Sequence, residues 1–253
     1  MTNVARIYSL ETKYEFLKNL RRPAYAIATL GFPVMFYAFF GLASGFRDSG
    51  MSIATYLLAT YGTWGVVGAS LFGFGVSISM ERGAGWLLLK RASPMPPLAY
   101  FVAKIVSATV FSALVVALLF SMGALWGNVH LPAQTWLELG AALIVGALPF
   151  CAMGLALGYL ISPNSAVAVL NLINLPMSFL SGLWLPINVL PPVVQHIAPF
   201  MPAYHLAQLA LGTIGVPSSQ PWYLHVLVLV AFTSVALSVA AFAYKRDEGE
   251  TYG

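Results

Sequence analysis

Long uninterrupted apolar runs dominate the chain, and the polar positions fall in a few narrow breaks between them. Six runs stand out: Pro23–Ser44, Ile53–Ser79, Ile105–Trp126, Leu139–Ile161, Ala166–Leu185 and Trp222–Tyr244. Each approaches or exceeds the roughly 20 apolar residues that a helix needs to cross a bilayer. Barrel strands would alternate over short segments, whereas these runs are continuous, and backbone groups in hydrocarbon must pair within the segment. The pattern predicts an all-α polytopic membrane protein with six transmembrane helices, a single permease-like domain over 1–253. The first break lies at Arg47-Asp48; later ones are Glu81–Pro97, Asn128–Gln134, Ser162–Ser165 and Pro186–Pro221.

Two segments outside the runs have their own pattern. In 4–22, Ile7, Leu10, Tyr14 and Leu17 follow helical spacing while Glu11, Glu15 and Lys18 lie off that stripe, which predicts an interfacial amphipathic helix. The segment 186–221 is uncharged and rich in proline. It predicts short helices near Pro191–Ile197 and Ala203–Leu211 that dip into the outer leaflet and close over the bundle.

Composition sharpens this picture. Only 8% of residues are charged, against roughly a quarter in soluble domains. From Leu139 to Tyr244 there is no Asp, Glu, Lys or Arg at all. Of twelve basic residues only Arg47 falls on the side opposite to the N-terminus, so the distribution of Lys and Arg predicts both termini in the cytoplasm. The net charge of +4 is thereby a topology signal, and no nucleic-acid partner is expected.

Several chemistries lack their residues. No GxxxxGK[ST] phosphate-binding loop and no HExxH occurs. The histidines 130, 196, 205 and 225 are scattered on the outer side without metal-ligand spacing, so no metal site is expected. Glu138, at an outer edge, is the only ionisable candidate for the membrane interior, which disfavours an ion-driven carrier and an intramembrane protease. Uphill transport would draw its energy from another chain. Asn171 and Asn174 are the most polar feature of the fifth run and are candidates for a substrate path, a subunit contact or a plain interhelical bond.

The stretch Glu81–Pro97 gathers charge, tryptophan and proline in the longest inner connection. Trp86 to Leu89 can lie in the interface with Glu81, Arg82, Lys90 and Arg91 turned to headgroups or a protein partner. Here the chain resembles the type-2 ABC exporter permeases, including those of daunorubicin-resistance type. The resemblance is carried by Glu81, Arg82, Gly85, Leu87, Leu89, Ser93 and Pro94, with Tyr100 and Lys104 following. Gly83, Trp86 and Leu88 stand where that family tends to have Glu, Thr and Glu. A second similarity lies in Ser181-Gly182, Pro186, Leu190-Pro191, Pro202 and Tyr204, in the family's order before the last run. The resemblance implies an ATPase-coupling segment at 81–97 and a half-transporter that pairs with an identical or paralogous permease. It also implies two separate ATPase chains holding ATP and magnesium, with no cofactor on this chain, in a bacterial cell membrane. By the same analogy the first, second and fifth runs border the pathway, beside Asn171 and Asn174. A hydrophobic or amphipathic cargo, such as a drug, antibiotic or lipid, suits the uncharged interior. A glycan exporter and a non-transporting scaffold are the alternatives.

Overall fold

The computed structural model describes residues 4–42, 47–48, 51–93 and 95–252. The N-terminal helix α1 (Val4–Leu20) leads into α2 (Pro23–Phe36), whose first residue is the proline that a helix start tolerates. The helix continues as a π-turn over Tyr37–Leu42, and the buried Tyr37 hydroxyl donates to the Ala54 carbonyl at 3.1 Å. A two-residue hairpin, β1 (Arg47–Asp48) with β2 (Met51–Ser52), precedes α3 (Ile53–Gly83). Ser52 caps α3 by accepting from the Thr55 amide. Then follow α4 (Trp86–Ala92), α5 (Pro97–Leu125), α6 (Ala133–Val145), α7 (Leu148–Leu160) and α8 (Ala166–Leu180). The outer segment folds into α9 (Pro192–Ile197) and α10 (Pro202–Thr213), flanked by 3₁₀ turns, before α11 (Trp222–Tyr252).

Among the described residues, five helical stretches are long and apolar enough to cross a membrane: 23–42, 53–83, 98–125, 133–160 and 222–246. The fifth expected run differs. Its helix stops at Leu180 because Gly182 turns the chain at φ 71°, so α8 has only 15 residues. At 1.5 Å per residue it rises about 22 Å, less than the ~30 Å of a hydrocarbon core. The fourth stretch is two helices, broken at Gly146-Ala147 with Pro149 in the first turn of α7. Two starts move earlier than the apolar runs indicated, to Pro97 and Ala133. The α3 end moves later, so Glu81 and Arg82 sit on the helix itself.

Helix α3 is the axis of the molecule. It packs against α5, α7, α8, α10 and α2, and most of its side chains are buried. Small residues let α7 approach: a Cβ on Gly154 would lie 2.8 Å from Phe74 Cβ, and one on Gly158 would lie 2.9 Å from Ile78 Cβ. These small positions serve contacts within the chain. At the end opposite the α3–α4 turn, α10 seats Ala203, Leu206, Ala207 and Ala210 in the core against α3, α6 and α11.

Candidate functional site

At the end of the bundle that holds the α3–α4 turn, α1 lies against α5 and α3 with an unexpected face. Leu10 and Tyr14 are exposed, whereas Glu15 and Asn19 are buried. The reason is the polarity of what they meet. Asn19 Nδ2 donates to Ser107 Oγ at 3.2 Å, and Glu15 accepts from Lys104 Nζ at 2.9 Å. Lys104 is 2% exposed, one turn above Tyr100 on α5. Its ammonium also reaches Ser77 Oγ at 2.7 Å and Glu81 at 3.1 Å. Tyr100 donates to the other Glu81 oxygen at 2.6 Å, and Lys18 pairs with both Glu15 and Glu81. Two lysines thus neutralise two carboxylates, and each buried charge is paired and hydrogen-bonded, as burial of charge demands. Burial alone would raise the Glu15 carboxyl, but Lys104 and Lys18 outweigh it and hold it below its ordinary value.

This arrangement corrects two expectations. Glu81 does not turn to headgroups or a partner: it is 4% exposed and satisfied within the chain. Glu138 is also not the sole ionisable candidate for the membrane interior, since Lys104 and Glu81 lie inside stretches 98–125 and 53–83.

Its neighbour Arg82 points the other way. It donates to the Tyr159 carbonyl and, at 2.8 Å, to the Ile161 carbonyl, where Ser79 Oγ also donates at 2.8 Å. A cation there complements the C-terminal dipole of α7. The last turn of α3 therefore ties together α1, α5 and α7. Gly85, at φ 73°, supplies the left-handed residue that starts α4. In α4, Leu87 is buried against the Phe74–Ile78–Tyr100 cluster, while Trp86, Leu88 and Leu89 are exposed. Lys90 pairs with Glu11 of α1 and stands 4.5 Å from the Tyr100 ring centre. Ser93 closes α4 by donating to the Lys90 carbonyl at 2.7 Å, and Pro94 lies outside the described residues.

A cavity of about 940 Å³ opens between α2, α3 and α8. That volume falls in the range of small-molecule sites. Its walls are apolar and aromatic, including Tyr25, Phe32, Phe36, Trp64, Phe72 and Trp184. Asn171 and Asn174 both line it. Asn171 donates to its own helix at the Val167 carbonyl, 3.0 Å, whereas the buried Asn174 Oδ1 has no protein partner among the described residues. At the far end, Phe36 and Trp64 meet edge to face at 5.2 Å, and Trp64 and Trp184 at 5.6 Å.

The outer motif sits at the opposite end from the α3–α4 turn. Ser181 is buried beside the Gly182 turn, Pro186 and Pro191 start short helical turns, and Pro202 opens α10. Tyr204 meets edge to face two histidines that sequence spacing left apart: His205 and His225 meet Nδ1 to Nδ1 at 2.8 Å. His205 Nε2 lies 2.8 Å from the Pro199 carbonyl, which can only accept, and His225 Nε2 lies 3.1 Å from Ser218 Oγ. The carbonyl therefore fixes the tautomers: Ser218 donates to His225, His225 Nδ1–H to His205, and His205 Nε2–H to Pro199.

Comparison with known proteins agrees with this architecture. Over 236 residues, 92% of this chain and 95% of the relative, the chain is 26% identical to a Bacillus subtilis (strain 168) protein described as "Putative transport permease YvfS". The family model described as "ABC-2 type transporter" matches residues 8–215, which include most of α1, the α3–α4 turn, the cavity walls and α10. The chain belongs to the ABC-2 type transporter family, as a multi-pass transmembrane transport subunit.

Proposed function

We propose that this chain is the membrane half of an ATP-driven exporter whose cargo is a hydrophobic or amphipathic compound such as a drug, antibiotic or lipid. The observation that carries the reading is the cavity between α2, α3 and α8, which is large and apolar along most of its wall, its charged lining residues confined to the α1–α2 end. Desolvating an ionic cargo along its aromatic wall would be costly, whereas an apolar body loses nothing there. Six aromatic rings could also stack on sugars, but a glycan needs many polar partners and the walls offer few. In this reading α8 completes a six-span bundle, both termini lie in the cytoplasm of a bacterial cell, and α1 rests in the inner interface.

Energy enters from partner ATPase chains that hold ATP and magnesium, docked below the α3–α4 turn. Two permease chains, identical or paralogous, complete the assembly. The exposed Trp86, Leu88 and Leu89 offer the handle, and Glu81, Arg82 and Gly85 pass its movement to α1, α5 and α7. Transport then follows when nucleotide binding favours a second arrangement of the bundle.

The test exploits Gly68, which lines the cavity and whose added Cβ would meet nothing within 4 Å. Gly68→Phe adds a ring at a cavity-lining position where the added Cβ meets open space. In proteoliposomes holding the co-purified complex, the variant should lose at least about tenfold of ATP-dependent transport of an amphipathic dye, with unchanged melting temperature; a tenfold loss corresponds to only about 1.4 kcal/mol. Wild-type transport rates in Gly68→Phe would refute the cavity as the path.

A further inference from the structure

We infer that the cavity selects amphiphiles with an anionic headgroup, held by Arg21 and Arg22 at its α1–α2 end. This rests on the cavity being the cargo path, and it adds the charge of the cargo. The wall contains both arginines and no Asp or Glu. The neighbouring carboxylates are already committed: Glu11 to Lys90, Glu15 to Lys18 and Lys104, and Glu81 to Lys18 and Lys104. None of the ion pairs among the described residues includes Arg21 or Arg22, and Arg22 Nη1 makes a 4.0 Å approach to Met80 Sδ. The salt-bridge network has therefore consumed the local negative charge and left Arg21 and Arg22, both of which line the groove, outside any ion pair among the described residues. Guanidinium groups favour phosphate and carboxylate through paired N–H donors.

The rest of the groove matches the body of such a molecule. From Pro23 to Phe36 the α2 wall extends about 20 Å at the helical rise, apolar for most of its length and ending at the Phe36–Trp64–Trp184 rings. Midway on α8, Asn174 Oδ1 is buried without a partner among the described residues, an acceptor that waits for a hydroxyl or amide donor. An unpaired buried acceptor is costly, so a donor carried by the cargo would bind there with more than ordinary gain. Charge at one end, an apolar wall and one acceptor together describe a single-headed anionic amphiphile that enters head-first from the inner leaflet, whether a lipid phosphate or a fatty carboxylate.

Binding measured on the purified full chain separates the possibilities. The probes are one-chain amphiphiles of equal length with brominated tails: a lysophosphatidic acid, a fatty acid, a monoacylglycerol and an alkyl-trimethylammonium. Quenching is read from Trp64 and Trp184 in a background where Trp86, Trp126, Trp136 and Trp222 are phenylalanine. Both anionic probes should bind about tenfold or more tightly than the neutral one, through charge-assisted hydrogen bonds to the arginines. Arg21→Gln with Arg22→Gln should remove that preference and leave monoacylglycerol binding unchanged, while the double lysine variant keeps it. Inorganic phosphate alone should not displace a bound amphiphile. Equal binding of all charges, or a preference that survives the double glutamine variant, overturns the anion selection alone. If no tail-bearing probe quenches, the cavity is not a cargo site and the export reading falls with it.

Discussion

Replacing Lys104 with methionine keeps the length of the side chain and removes the ammonium that Glu15 and Glu81 share at 2.9 and 3.1 Å. Both carboxylates are almost fully buried, and Lys18, the one remaining cation, is partly exposed. Breaking a buried pair by removing one partner costs about 3–5 kcal/mol, because a charge is left uncompensated. Lys18 retains part of the pairing, so the lower end applies, about 3 kcal/mol. With about 2–4 °C of melting temperature per kcal/mol for a chain of this size, Lys104→Met should lower the midpoint in detergent by about 6–12 °C. Adding Glu81→Gln should restore part of the loss, since an amide still accepts from Tyr100 and no longer carries a charge. Intrinsic tryptophan fluorescence during heating reads both variants. The double variant should be more stable than the sum of the single effects by at least about 1 kcal/mol, the coupling expected of contacting residues. A Lys104→Met protein that melts like wild type, or strict additivity, would refute the buried network.

Three further outcomes follow from the same geometry. The Glu15 carboxyl is held below the ordinary 4.5 despite burial. Its contribution to stability is therefore full above that value and lost as pH falls through the lowered one; a melting temperature flat from pH 6 down to 3 would contradict this. In α10, burial lowers the His205 basicity, so stability should be constant above about pH 6.5 and decline as protonation sets N–H against N–H at the 2.8 Å histidine contact. His205→Gln should flatten that limb of the pH–stability curve, and an unaltered limb would exclude the pair. Finally, Gly85→Val should cost about 1–2 kcal/mol at its left-handed φ, with Gly85→Asn milder; nothing lies within 4 Å of the added Cβ, so equal stability of all three would refute a backbone origin.

Apolar run length made the helical bundle legible, because hydrocarbon imposes it on any spanning chain. In the proline-rich segment, α9 follows Pro191 and α10 begins at Pro202. The ends of elements were not legible. Gly182 shortens α8 and Gly146 with Pro149 divides the fourth stretch, signals present but masked by continuous hydrophobicity. The orientation of α1 escaped for a deeper reason. Hydrophobic periodicity assumes an apolar interior, yet α1 packs on Ser77, Lys104 and Ser107, so its polar side turned inward. Helical spacing of Ser77 with Glu81 and of Tyr100 with Lys104 held that information, and assigning the charges to a loop concealed it. The His205–His225 contact joins residues twenty apart across a proline-rich connection, and no local pattern announces it.

The central claim is that this chain works as the membrane half of an ATP-driven transporter. The most direct measurement is purification of the tagged protein from its native membrane in mild detergent, with identification of co-purifying chains by mass spectrometry. The account predicts a stoichiometric partner that carries a GxxxxGK[ST] loop, retained by wild type and lost when Trp86, Leu88 and Leu89 are replaced together by alanine. Recovery of the permease without any such chain, across several mild detergents, would contradict it.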